Sequence, residues 1–348
     1  MKELIRELCA VPGVSGFEEE IRLRITEKIR PYAAQIKVDA VGNLIVWKKG
    51  RRPAENELLI TAHMDEVGLI VKRVDDKGYI RFAPAGGIDR RTVIGKKVLV
   101  GKDRVPGAIG LRAYHLVSAK EEKLVPEITD LYIDVGASGK DEAQKFVHVG
   151  DEIVFDSEWS EFGDGLIKAK ALDDRIGCAA MIRLIQGDLP MDCVFVFSAQ
   201  EEVGARGAFG AAFSLRPRMA LVLEGTTAAD LPGLKEHKQV TRVGAGPVLG
   251  LMDRQTIYDR GLFEKLRELS DENGIPWQTK RTIAGGTDAS AIQTAAGGVR
   301  VAAISVPVRY IHTPSSVASL QDCENQYVLA ERLIKTIAEK KEDLSWTY

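Results

Sequence analysis

The chain has 348 residues, 45% of them hydrophobic and 28% charged, an ordinary balance for a globular protein with room for a large core and two domains. Its 48 basic and 50 acidic residues leave a formal net charge of -2, without the basic excess of a nucleic-acid binder. No apolar run is long enough to span a bilayer, and the opening MKELIRELCAVPG lacks the apolar centre of a secretion signal.

That opening reads as a short amphipathic helix with Leu4, Ile5, Leu8 and Cys9 on one face. Ser15 and Glu18 have the S-x-x-E spacing of a capping box. The helix they would start carries Ile21, Ile25 and Ile29 as a stripe and stops near Pro31. A strand pair follows, turning at Gly42-Asn43, and then the short apolar strand Leu58–Ala62, which ends at His63.

From about Val67 to Gly163 the pattern changes. Short strand-like pieces (GLIVKRV, GYIRFAP, KKVLVG, VPGAIG, LYIDVG, DEIVF) alternate with glycines and charges, and only 140–145 resembles a helix. This predicts a small β-barrel or sandwich inserted at 67–163. After Leu166 strands and helices alternate again: helix 173–185, strand 192–199, helix 205–213, strand 219–223, helix 258–273, strand 299–306 and a long helix 319–340. The fold class is therefore α/β, a mixed and largely parallel sheet flanked by helices. The first domain is discontinuous, 1–66 and 164–348. Cys9, Cys178, Cys193 and Cys323 form no C-x-x-C pair and read as buried free thiols in a reducing cytoplasm.

Functional residues of open α/β sheets gather beyond the carboxyl ends of the strands. His63, Glu202, Glu224 and His312 each follow a strand-like run, and Asp173 lies at a helix start. Singly each has an ordinary explanation: an N-cap for Asp173, a solvated pair for Glu201-Glu202. Together, two imidazoles and three carboxylates form a ligand set suited to zinc, cobalt or manganese rather than calcium. Five ligands exceed the four of a structural zinc and suit two ions bridged by one carboxylate. Two such ions, roughly 3.5–4 Å apart, activate a water for attack on a carbonyl. Glu201 is the candidate general base. Asp65 is placed to orient the imidazole of His63. His115 is a candidate to project from the insert toward a neighbour or the site, whereas His148, in FVHVGDEI, reads as structural. Arg206, Arg254 and Arg281 read as surface or packing residues. GGTDAS at 285–290 reads as a turn and helix cap, with backbone N–H groups available to a pocket.

The strings AHMDEVG, KALDDRIGC, SAQEEVGARGA, LEGTTAAD, GGTDAS and RYIHTP stand in one order over most of the chain. In this it resembles the dinuclear metallo-aminopeptidases that include glutamyl and deblocking aminopeptidases, some of them labelled cellulase or endoglucanase. The resemblance implies that Asp173 bridges two ions, with His63 and Glu224 on one and Glu202 and His312 on the other. Glu201 would be the base and Asp65 a support for His63. Relatives commonly have Asp where this chain has Glu224. The implied activity is release of N-terminal residues from short peptides with two divalent ions per subunit, zinc or cobalt ahead of manganese. The implied assembly is a homo-oligomer, with a hollow tetrahedral dodecamer built from dimers among the forms relatives adopt. No nucleic-acid or membrane partner is expected. The alternatives are a related deacetylase or carboxypeptidase, a metal-free glycosidase using Glu201, or a scaffold keeping only a structural metal.

Overall fold

The computed structural model describes residues 1–54 and 57–339. Seven strands build one mixed sheet, in the spatial order Gln35–Val38, Leu44–Lys48, Cys193–Ser198, Leu58–His63, Met219–Thr227, Arg300–Val308 and Val248–Leu249. The four strands from Cys193–Ser198 to Arg300–Val308 run parallel, and antiparallel pairs close both edges. Strands at the centre of such a sheet are covered on both faces, so they read as unbroken apolar runs. Leu58–His63 and Cys193–Ser198 are buried at every position. Alternate residues enter opposite cores. Ile60, Phe195 and Phe197 pack with the helices Lys2–Ala10, Glu19–Ile29, Leu172–Gln186, Arg260–Glu272 and Leu320–Glu339. Leu59, Val194 and Val196 pack under Arg206–Leu215 and Asp288–Gln293. This is the helix-flanked, largely parallel sheet that the alternation predicts.

Between Val67 and Phe155 the chain closes a six-stranded barrel, in the order Gly68–Val74, Ile80–Ala85, Tyr132–Asp134, Val105–Gly110, Lys97–Val100 and Glu152–Phe155. Leu69, Val71, Ile80, Phe82, Val98, Ile109, Ile133 and Ile153 fill its interior. A third, three-stranded sheet joins Ser160–Phe162, Leu166–Ala169 and Ser316–Ser319. Its first hairpin was not expected from the sequence. All four cysteines are buried and unpaired. Among the described residues no helix is long and apolar enough to cross a membrane.

Three local expectations change. The capping box does not form: Glu18 is the N-cap residue of Glu19–Ile29 but makes no side-chain cap bond. Ser15 Oγ instead donates to Asp65 Oδ2 at 2.6 Å, and Glu18 Oε1 accepts the N–H groups of Gly16 and Gln200. The long-range partners outcompete the local motif. Next, Asp173 and Asp174 have non-helical backbone angles, so regular helix begins only after them. Asp174, not Asp173, caps it, with Oδ1 accepting the Gly177 N–H at 3.0 Å. Last, His148 sits in an exposed turn before the Glu152–Phe155 strand rather than within a strand.

Candidate metal centre

Strand register brings the distant side chains together. His63 ends its strand and pairs in parallel with Ser198, the last residue of the neighbouring strand. Glu201 and Glu202 therefore emerge beside it. Glu224 lies on the next strand over, within Met219–Thr227, and is itself next to Arg300–Val308. His312 follows that last strand in a turn, at φ 58°.

Asp173 stands at the centre. Its Oδ1 is 3.5 Å from His63 Nε2, and its Oδ2 is 3.4 Å from His312 Nε2. Glu224 Oε1 approaches His63 Nε2 at 3.1 Å, and Glu202 Oε2 approaches His312 Nε2 at 3.2 Å. The five sequence-predicted ligands thus form one cluster with two ends. A Cβ on Gly225 would lie 2.7 Å from Asp173 Oδ1, so that strand position has to be glycine for the carboxylate to fit.

The tautomer of His63 follows from its contacts. Nδ1 lies 3.0 Å from the backbone carbonyl of Asp65, which accepts its proton. Nε2 is the nitrogen that faces Asp173 and Glu224, and without its proton it has the form a metal ligand needs. The Asp65 carboxylate is 3.5 Å from the same Nδ1. Its closer bonds are to the Glu201 N–H at 2.9 Å and the Glu202 N–H at 3.1 Å. Asp65 therefore ties the His63 strand end to the Glu201-Glu202 turn, a wider role than the sequence suggests. His63 holds its carboxyl below the usual range against the cost of burial.

Two further carboxylates enter the site. Asp174 Oδ2 accepts the His63 N–H at 3.3 Å, and Asp174 groups with His63 and Glu224 as donors that can surround one ion. A Cβ on Gly177 would fall 2.6 Å from its oxygens. Asp288 accepts a hydrogen bond from Ser198 Oγ, and burial lifts its pKa to about 6. The available signals were the second Asp of ALDDRIG and the Asp of GGTDAS, each with a credible local explanation. His115 is exposed, in the short helical turn Tyr114–Leu116 between the barrel strands Val105–Gly110 and Tyr132–Asp134, and is not part of this cluster.

The electrostatics call for cations. Burial, followed by the charge of Asp173, pushes Glu202 up to about 8 against the pull of His312. Burial, then Glu224, Asp288 and Glu202, drives Glu201 well above the ordinary carboxylate range. Burial opposes a charge on His312, but its bond to Asp173 and the charge of Glu202 outweigh it and lift the ring to about 9. Asp173 Oδ1 and Glu224 Oε2 are buried without any hydrogen-bond partner among the described residues. Acceptors left unpaired inside a protein are costly and need a counterpart. The imidazole nitrogens and carboxylate oxygens present fit divalent metal ions. The Glu201 carboxylate makes no hydrogen bond or ion pair with the described residues, so it is free to act on a small molecule.

The barrel completes the mouth of the site. Val67 and Phe155 line a cleft with Asp173, Glu202 and His312. The Gly86-Gly87 turn after Ile80–Ala85 packs on Glu202, and its Gly87 backbone bonds His312.

Comparison with known proteins finds relatives over almost the whole chain. A family profile described as M42 glutamyl aminopeptidase matches residues 42–329. A putative aminopeptidase of Acetivibrio thermocellus is 39% identical over 93% of this chain and 96% of its own length. A lysyl aminopeptidase of Pyrococcus furiosus is 32% identical over 96% and 97%. The solved TET1 peptidase of Pyrococcus horikoshii, described as assembling into a tetrahedron or a large octahedral shell, is 35% identical over 96% of this chain and 98% of that one, with a TM-score of 0.85.

Proposed function

The chain belongs to the M42 glutamyl aminopeptidase family and is an aminopeptidase; from that premise we propose that it releases N-terminal residues from short peptides, with Glu201 as general base beside two divalent ions. Asp173 would bridge the ions, His63 and Glu224 holding one and Glu202 and His312 the other. Ions bound there would supply a water of lowered pKa and polarise the peptide carbonyl. Glu201 takes a proton from the attacking water and returns it to the leaving nitrogen, which balances the hydrolysis. Asp65 fixes the Glu201 backbone relative to His63. The acidic ligands offer negative charge for the free α-amine of the substrate.

The observation that carries this reading is the division of one carboxylate between two imidazoles: Asp173 Oδ1 faces His63 and Oδ2 faces His312. The ions are zinc or cobalt, with manganese as the third choice, on donor chemistry. Residues 1–66 and 164–348 form the catalytic domain in this reading, and 67–163 a β-rich domain used as lid and for self-association. The TET1 structures, one described as a dodecamer and one as assembling into a tetrahedron or a large octahedral shell, support a homo-oligomer, and a dodecamer built from dimers is the form proposed for this chain. The enzyme works in the cytoplasm, in line with its buried free thiols. A panel of free-amine, N-blocked and free-carboxyl substrates, with and without chelator, tests the reading. Hydrolysis confined to free-amine substrates and lost with chelator supports it; equal turnover of N-blocked substrates, or chelator-resistant turnover, contradicts it. Family membership does not set the first residue taken, since the family description says glutamyl and the Pyrococcus furiosus relative is lysyl.

A further inference from the structure

The segment that carries Asp173 has an irregular backbone. Ala171 sits at φ 55°, in the left-handed region that side chains disfavour, and Asp173 and Asp174 depart from helical angles. Side chains around Asp173 must therefore hold what a regular helix would hold through its backbone.

A buried cation stands on each side of it. Lys170 is 6% exposed and Arg175 is 0% exposed. Lys170 Nζ donates to Glu66 Oε1 at 2.7 Å and reaches the Val11 carbonyl at 3.4 Å. Arg175 donates from Nε to the Met64 carbonyl and from Nη1 to the carbonyls of Leu8 and Val11. Its Nη2 lies 3.7 Å from the same Glu66 oxygen. Glu66 closes the arrangement, since its own N–H donates to the Gly13 carbonyl at 2.9 Å. Lys170 stands three residues before Asp173, and Glu66 three after His63. Both line the same cleft as Asp173, Glu202 and His312.

We infer that Lys170 and Glu66 are positioning residues for Asp173: their ion pair ties the strand end that supplies His63 to the loop that supplies the carboxylate shared by His63 and His312. The inference rests on the two-ion reading and adds what holds its shared ligand in place. Neither residue is a proposed ligand or base. A buried ion pair is often no more stabilising than apolar side chains of the same size, but it fixes distance and direction. Here direction matters. The two Asp173 oxygens lie 3.5 and 3.4 Å from different imidazoles, so a shift of the loop alters both contacts at once.

The test measures zinc affinity by competition with a chromophoric chelator, and the stability of the metal-free protein by denaturant titration. It compares wild type with Lys170→Met, Glu66→Gln, the double variant and Leu333→Ala. Leu333 is buried in the main core on the Leu320–Glu339 helix, and its truncation opens a cavity, which controls for lost stability alone. The inference predicts zinc affinity lower by about tenfold or more in Lys170→Met and in Glu66→Gln, and within about threefold of wild type in Leu333→Ala. The double variant should lose no more than Lys170→Met, because the pair acts as one unit. Unchanged zinc affinity in Lys170→Met overturns the inference, as does an equal loss in Leu333→Ala. Glu66→Gln, which keeps the side-chain shape, decides in the same way should Lys170→Met not fold. These outcomes leave the metal-centre reading standing; a wild type that binds no zinc overturns that reading and the inference with it.

Discussion

Glu18 accepts a hydrogen bond from the backbone N–H of Gln200, 3.1 Å away and 182 positions later in the chain. Gln200 has φ 60°, the left-handed region that ordinary residues avoid. The next two N–H groups, of Glu201 and Glu202, go to Asp65. Two buried carboxylates therefore hold three consecutive amides and set where Glu201 points. Glu18→Leu should lower kcat by roughly a hundredfold, since small displacements of a catalytic group are that costly. KM and metal content should change little. Glu18→Gln keeps a carbonyl oxygen in place and should recover most of the rate. Steady-state kinetics with metal analysis decides; equal rates for the Leu and Gln variants would reject this positioning role.

Glu201→Gln should keep its metal and lose turnover by about two to four orders of magnitude, the usual contribution of a positioned base. A variant that stays within tenfold of wild type would remove Glu201 from the chemistry.

Much of this cluster was legible because parallel central strands are unbroken apolar runs, and the candidate residues lie where they stop. LLITAH and CVFVFS both end at the site, as does the segment holding Glu224. Side chains whose meaning depends on distant partners were not legible in the same way. Ser15 and Glu18 match a cap by spacing, yet their partners are Asp65 and Gln200. Asp173 and Asp174 are adjacent and identical in type. Only the fold shows that one faces two imidazoles while the other caps a helix and bonds the His63 backbone.

The Arg260–Glu272 helix offers a pH test away from the metal centre. Asp259 caps it by accepting the Leu262 N–H and pairs with Arg300 through two bonds of 2.7 and 2.9 Å. Burial works against its charge, but the Arg300 bonds outweigh it and hold the carboxyl below its ordinary value. A depressed folded-state pKa means the stabilisation is complete above the unfolded value, about 3.9, and is lost as pH falls through the folded value. Asp259→Ala should therefore cost about 2 kcal/mol at neutral pH, a cap plus a charged hydrogen bond. The gap to wild type should shrink below pH 4 in denaturant titrations. A gap constant down to pH 2 would contradict this.

Removing metal should destabilise the fold as well as stop catalysis, because ions that bind only the native site add stability in proportion to their occupancy. Chelator should lower Tm, and readded zinc or cobalt should restore it. The Asp173→Asn variant should show a much smaller difference between loaded and chelated protein. A chelator-insensitive Tm in wild type would argue against occupied sites.

Anomalous diffraction from crystals of the active enzyme, collected at the absorption edge of the metal found by elemental analysis, tests the ion pair most directly. Two peaks should flank the Asp173 carboxylate, one toward His63 and Glu224 and one toward His312 and Glu202. Active crystals with no peak there, or with a single ion touching only one imidazole, would contradict the proposed chemistry.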